Sequence, residues 1–321
     1  MSGRLAQLWR YPVKSMLGER LTAAEVTATG VTGDRGLALV HRETGRVASA
    51  KHPRHWRGLL TLRASGTAPG PVRIALPDGR TVSSVDGEVD EVLSRVLGAP
   101  VTLTATPPDG AVLDRARPEA VLDAGVTADV PVDLSPLGTA APGTFFDFAP
   151  IHLVTTATLR RLAADAPGGA TGRDGAGTSG PLGDPTSAPG DRAGGLLGHP
   201  TGERDDRAGG EAPGGGFEPV RYRPNLVLDV PADGFVENEW VGRELRIGDA
   251  LVLRVLAATP RCAVPTLAHG ELPRQVAALR APARLNRIAP LPQLDPQPCV
   301  GAYALVLRAG RIAEGAPVEV G

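Results

Sequence analysis

Residues 72–85 read VRIALPDGRTVSSV: two short runs carrying β-branched apolar residues, on either side of Pro77-Asp78-Gly79. Asp-Gly at the centre of such a stretch is the residue pair a tight hairpin turn demands, so the segment predicts two antiparallel strands. Upstream, residues 5–9, 21–28 and 37–41 read as further short strands, with turn signals after Tyr11 and across residues 30–33. Residues 59–62 alternate less cleanly but lie between Gly58 and Gly66 and are read as strand too. The clearest helix is 88–97, where Val89, Val92, Leu93, Val96 and Leu97 fall on one face and Gly98 ends it. Residues 101–104 return to strand.

The second half continues the pattern. Residues 107–150 are loop-rich. Residues 151–154 predict a strand and 155–164 a short helix, with Leu159 and Leu162 inward and Thr155 or Thr156 as N-cap. Residues 226–230, 245–247, 251–256, 302–308 and 318–320 predict strands, and 271–279 a helix with Pro273 in its first turn. Between them, residues 164–217 are dominated by Gly, Ala, Pro, Asp, Arg, Ser and Thr, too poor in apolar surface to offset the entropy of ordering, and are expected to be a disordered insert. Many short strands and few helices predict a mainly β chain of two barrel-like modules, residues 1–120 and 130–321, the second interrupted by the insert.

The totals narrow the function. A chain of 321 residues can hold two domains with proper cores. A formal net charge of −1 argues against general binding to nucleic acid or an acidic membrane. Two cysteines, Cys262 and Cys299, are too few for a disulfide framework or a four-cysteine metal site. No apolar leader opens the sequence and no apolar run reaches membrane-spanning length, so a soluble, cytoplasmic protein is expected. Lysine occurs only at positions 14 and 51.

Four groups of polar residues fall at turns or strand ends, where sites are usually built. They are Lys14-Ser15, Asp34-Arg35, Arg223 with Asn225, and Arg261-Cys262. An ammonium, a hydroxyl and forked guanidinium groups suit a phosphate, and an amide can read a heterocycle edge. Cys262 in TPRC offers a soft thiolate donor beside a cation that favours its ionised form; the plainer alternative is a small buried hydrophobe. No Walker lysine loop or dinucleotide fingerprint is present. His52 and His55 form a pair without a third ligand for catalytic zinc, and Pro53 between them argues against a helix. His152 is expected to be a packed or edge residue.

YPVKS, GDRG, RYRPN, ENEWVGRELRIGD, TPRC and the final Gly301-Ala302-Tyr303, in this order over both modules, resemble the MOSC family. The resemblance is greatest to its two-part members with an N-terminal β-barrel, such as the mitochondrial amidoxime-reducing component and its bacterial relatives. It implies a MOSC N-terminal β-barrel followed by a MOSC β-barrel, with a molybdenum cofactor (Mo-molybdopterin) held between them. On this resemblance Cys262 is the molybdenum ligand. Lys14, Ser15 and Arg35 hold the pterin phosphate, Arg223 and Asn225 contact the pterin, and Arg261 is the basic residue beside the ligand. Asp147 and Thr156 fall in segments that approach the cofactor. The implied activity is reduction of N-hydroxylated substrates, with electrons from a separate ferredoxin- or flavoprotein-like donor. Persulfide transfer through Cys262, storage of the cofactor without turnover, and a structural role with a buried cysteine are the alternatives.

Overall fold

Seven strands of the largest sheet close on one another to form a barrel. The computed structural model describes residues 1–165 and 217–321, so all but the end residues of the predicted insert lie outside the described residues. The strands are β1 (Ser2–Arg10), β2 (Ile151–Thr155), β3 (Leu226–Asp229), β4 (Glu244–Ile247), β5 (Leu251–Pro260), β6 (Gln297–Arg308) and β7 (Pro317–Val320). Around the barrel they run β2-β3-β1-β7-β4-β5-β6, and β6 pairs back onto β2. All neighbours are antiparallel except β2 and β3, which run in parallel. The first strand of the chain therefore sits inside a barrel otherwise built from residues after 150.

Burial follows from pleat geometry, with one correction. Leu5 and Leu8 of β1 both point into the barrel, three residues apart rather than two. The register against β3 jumps between Leu5 and Gln7, and this bulge resets the alternation so that Leu8 regains the core face. Every residue of β2 is buried. Ile151 and Leu153 face the barrel core, while Val154 packs in a second cluster with Tyr222 on the outer face. A strand covered on both sides reads as a continuous apolar run, as this one does. Where β6 crosses β2 the backbones nearly touch. Gly301 has φ +78°, and a Cβ there would lie 2.3 Å from the Leu153 carbonyl oxygen and 2.7 Å from His152 Nε2. Gly301→Ala is expected to lose about 2–3 kcal/mol in urea denaturation, combining overpacking with a left-handed backbone. A loss within error of zero contradicts that account.

The N-terminal part carries the predicted hairpin, Arg73–Ala75 against Thr81–Ser83, with Arg63–Ser65 as its third strand. Helix Val89–Leu97 presses Val89 and Leu93 onto a core shared with Val13, Leu39, Leu59 and Ile74, and ends at Gly98 in the left-handed conformation. Residues 59–62 are not a strand: Arg57–Thr61 is a 3₁₀ turn. Leu59 and Leu60 are both fully buried, Leu59 in this core and Leu60 in a different cluster that contains Cys262. Pro53 also departs from expectation. It opens the one-turn helix Pro53–Trp56, at a position where its missing N–H costs nothing.

Two further differences lie downstream. The stretch read as loop holds a hairpin, Val112–Ala116 against Val132–Pro136, with helix Pro118–Ala124 between its strands. The helix placed at 271–279 starts later, as Ala277–Leu285, and runs through Pro282. Proline there leaves the Ala278 carbonyl without its helical donor, and the Tyr222 hydroxyl donates to that oxygen instead at 2.9 Å. Helix Thr156–Ala163 is capped as predicted, the Thr158 N–H donating to Thr155 Oγ1 at 3.1 Å. The chain is mainly β, and among the described residues no helix is long and apolar enough to cross a membrane.

Candidate functional site

One end of the barrel forms the floor of a cavity of about 380 Å³. The strand registers explain which residues meet there. Leu153 of β2 lies beside Leu226 of β3, so His152 and Asn225 share the preceding level. His152 also faces Tyr303 of β6, which faces Ala257 of β5. Cys262 follows the end of β5 directly, at the same mouth. The turns at Lys14-Ser15 and Arg35 close over this floor from the N-terminal part, with residues 146–149 forming a side wall.

Lys14, Ser15, Arg35, Asp147, Arg223, Asn225, Arg261 and Cys262 all line this single cavity. Thr156 does not. Its hydroxyl donates to Asp229 Oδ1 at 2.8 Å. Because β2 and β3 are parallel, His152 and Asn225 mark the cavity end and Thr156 and Asp229 the other. Four residues of strand separate Thr156 from His152, about 13 Å at the usual rise.

A buried carboxylate organises the cations. Asp34 Oδ1 accepts the Tyr11 N–H at 2.6 Å, and Oδ2 accepts from Asn225 Nδ2 at 2.8 Å and from the Arg35 guanidinium. Asn225 Oδ1 accepts the His152 N–H at 3.2 Å, which ties this network to β2. Arg35 and Arg223 both lie against the Tyr11 ring, at 4.7 and 4.4 Å from its centroid. Arg223 also donates to the Met16 carbonyl at 2.6 Å, and Arg261 to the Tyr222 carbonyl at 3.0 Å. Ser15, Arg35 and Arg223 are the only non-glycine residues with positive φ among the described residues, at 64°, 46° and 56°. All three line the cavity, and each such conformation costs about 1–3 kcal/mol that the surroundings must overcome.

The two lysines of the chain meet at one carboxylate. Lys14 Nζ lies 2.6 Å and Lys51 Nζ 2.9 Å from Asp147 Oδ1. Lys14 also donates to the Phe145 carbonyl at 2.7 Å. Burial pushes Lys14 down to about 8, against the pull of Asp147 and helped by the charge of Lys51. Burial opposes ionisation of Asp147, but the two ammonium groups hold its pKa well below the usual carboxylate range. Burial and the adjacent Arg35 lower Arg223 to about 10. Burial and the charge of Arg261 lower His152 to about 3, so it is a neutral imidazole, with Nε2 3.3 Å from the Val300 carbonyl, and no proton reservoir.

The Lys14 shift fixes a pH dependence. Between about pH 8 and 10.5 the folded chain binds fewer protons at Lys14 than the unfolded chain. The charged lysine therefore disfavours folding below pH 8, and this cost fades as pH rises towards 10.5. An anion in the cavity favours charged Lys14, so the opposite sense holds for binding. Methyl phosphate, a monoester whose second pKa of about 6 keeps it a dianion from pH 7 upward, is expected to bind several-fold more weakly at pH 9.5 than at pH 7. Titration calorimetry should show Lys14→Met flattening that dependence; an unchanged slope in the variant contradicts it.

Sequence reasoning passed over several lining residues. Lys51 carries a signal, as one of only two lysines, but no phosphate-binding pattern surrounds it in the sequence. Ser49 sits 3.5 Å from the Ser15 hydroxyl, and the Ala50 N–H donates to Ser15 Oγ at 3.1 Å. His152 and Tyr303 lay inside apolar strand runs, where nothing in the sequence separates a packed ring from one facing a cavity.

Cys262 is 9% exposed and belongs to a buried apolar cluster with Ala50, Ala116 and Val264. Arg261 Nε is buried and has no hydrogen-bond partner among the described residues. A thiol, a guanidinium edge with an unmade bond and a cluster of cations together suit a ligand with a soft metal and an anionic group.

A mainly β chain with this cation-lined cavity over a barrel end defines a two-part β-barrel protein. Comparison with protein families agrees: the MOSC N-terminal beta barrel domain matches residues 2–99 and the MOSC domain residues 204–319. The chain belongs to the MOSC family, in the form with an N-terminal barrel domain. Among solved structures, the YUAD protein from Bacillus subtilis aligns over 100% of this chain and 96% of its own, at 9% identity and a TM-score of 0.39. A likeness that weak carries no argument. Comparison with curated proteins gives no match.

Proposed function

We propose that the cavity holds a molybdenum cofactor and that the chain reduces N-hydroxylated compounds. The observation that supports this best is the convergence of Cys262 with Lys14, Ser15, Arg35, Arg223, Asn225 and Arg261 from distant parts of the chain around one cavity. These residues fit the group. Cys262 would hold the metal, and the Lys14, Ser15 and Arg35 turn would hold the terminal phosphate. Arg223 and Asn225 would contact the pterin, with the unpartnered Nε of Arg261 as a further donor. When bound, the cofactor supplies two-electron transfer coupled to removal of an oxygen atom. The overall change is R–NHOH plus two electrons and two protons to R–NH₂ plus water, with the electrons drawn from a separate ferredoxin- or flavoprotein-like partner.

The chain's own residues do the positioning. Asp34 fixes Arg35 and Asn225, Asp147 spaces the two lysines, and neutral His152 adds polarity without competing charge. Persulfide transfer fits less well, because a sulfur that must meet a partner needs access, and Cys262 is 9% exposed within a buried apolar cluster. Metal analysis of purified protein should give molybdenum near one per chain, with turnover of a hydroxylamine or amidoxime by chemical reductant. Molybdenum without turnover favours a cofactor carrier, and a persulfide on Cys262 in metal-free protein favours sulfur transfer.

A further inference from the structure

Six cations line the cavity, and five of them hold protein groups. Lys14 and Lys51 share Asp147, Arg35 holds Asp34, Arg223 the Met16 carbonyl and Arg261 the Tyr222 carbonyl. Arg115 is the sixth. Among the described residues its side chain makes no ion pair and donates no hydrogen bond. Carboxylates are close in sequence and register, yet each is taken. Asp133 stands opposite Arg115 across the hairpin, but its oxygens accept from Arg117 at 3.2 and 3.4 Å. Asp114, the preceding residue, binds Arg46 at 2.8 Å. A partly buried guanidinium left without an acceptor at a cavity wall is a vacant fork for a planar anion.

Its place fits a ligand that also reaches Cys262. The next residue, Ala116, packs with Cys262 and Ala50, and its N–H donates to the Lys51 carbonyl at 3.0 Å. Phe148 and Tyr303, with ring centroids 5.2 Å apart, offer the same cavity an aromatic surface. The geometry points to Arg115 as a specificity-determining residue that selects substrates with an apolar or aromatic body and an anionic oxygen group. This rests on the proposed reductase only for the chemistry at the far end of the substrate. The anion preference itself is a binding property and stands apart from turnover.

Three probes separate the outcomes: benzamidoxime, its 4-carboxy derivative and its 4-phosphono derivative. Binding is measured by titration calorimetry on the full chain as purified, with molybdenum content and thermal midpoint recorded for each variant. The wild type is expected to favour at least one anionic probe over the neutral one by about tenfold, the scale of one charge-assisted hydrogen bond. The two anionic arms show whether carboxylate or phosphate geometry is preferred. Arg115→Gln should abolish the ratio, and Arg115→Lys, a charge without the fork, should restore part of it. Equal binding of all probes to the wild type, failure of both anionic probes to bind, or an unchanged ratio in Arg115→Gln overturns the assignment. So does loss of molybdenum in Arg115→Gln, which would make Arg115 a cofactor contact. An Arg115-dependent ratio in a protein that turns nothing over would remove the reductase and leave this assignment standing.

Discussion

Cys262→Ala is expected to lose bound molybdenum and more than a hundredfold in reductase activity while the fold survives. Removing one buried sulfur from the apolar cluster that includes Ala50, Ala116 and Val264 costs about 1 kcal/mol on the scale of a buried methylene, too little to unfold a domain of ordinary stability. No other cysteine can replace it. Cys299, the second, is fully buried, and burial pushes its thiol up to about 11. Its sulfur donates weakly to the Ile288 carbonyl at 3.8 Å. Cys299→Ala should therefore keep both metal and activity. Metal content and steady-state rates on the two variants settle the matter: an active Cys262→Ala enzyme rules out ligation by that sulfur, and an inactive, folded Cys299→Ala enzyme contradicts its structural role.

Asp34→Ala should give the largest loss of stability, about 3–5 kcal/mol, as expected when one partner of a buried ion pair is removed. The side chain of Asp34 has no exposure, and its loss takes an acceptor from three donors together: the Tyr11 N–H, Asn225 Nδ2, which keeps the Trp9 carbonyl at 3.3 Å, and the Arg35 guanidinium, which keeps the Arg223 carbonyl at 3.2 Å. Arg35 would remain beside Arg223 with its nearest counter-charge gone. Asp34→Asn keeps the volume and one acceptor, and is expected to lose about half as much. Urea denaturation measures both. A loss under about 1 kcal/mol for Asp34→Ala would show that water or a shift of Arg35 replaces the carboxylate. The same variant should weaken phosphate binding, since Arg35 would no longer be clamped in its left-handed conformation.

Local sequence carried much of this. Asp78-Gly79 marked a hairpin, the apolar spacing of residues 89–97 marked a helix with Gly98 as its stop, and Thr155 marked a cap. Each is decided within a few residues, where backbone preference and side-chain period act alone. The failures share a cause. Leu59 and Leu60 lie in a 3₁₀ turn whose two leucines are held by two separate clusters, and Pro282 is tolerated because a tyrosine sixty positions earlier donates to the carbonyl it exposes. Neither fact is local.

The site divides in the same way. Residue types alone established that this chain owns one thiol next to a cation, two lysines, and arginines at turns, which points to soft-metal and anion chemistry, while the family rested on the resemblance of an ordered set of motifs. Only the tertiary structure decided that those groups meet. Parallel pairing of β2 with β3 places His152 and Asn225 at the cavity and sends Thr156 to the opposite end, although Thr156 is only four residues from His152. The same folding brings Lys51 to Asp147 and leaves Arg115 without an acceptor because Arg117 has taken the carboxylate opposite it. Which charge finds which partner depends on strand register and competition between neighbours, and a linear string of residues contains neither.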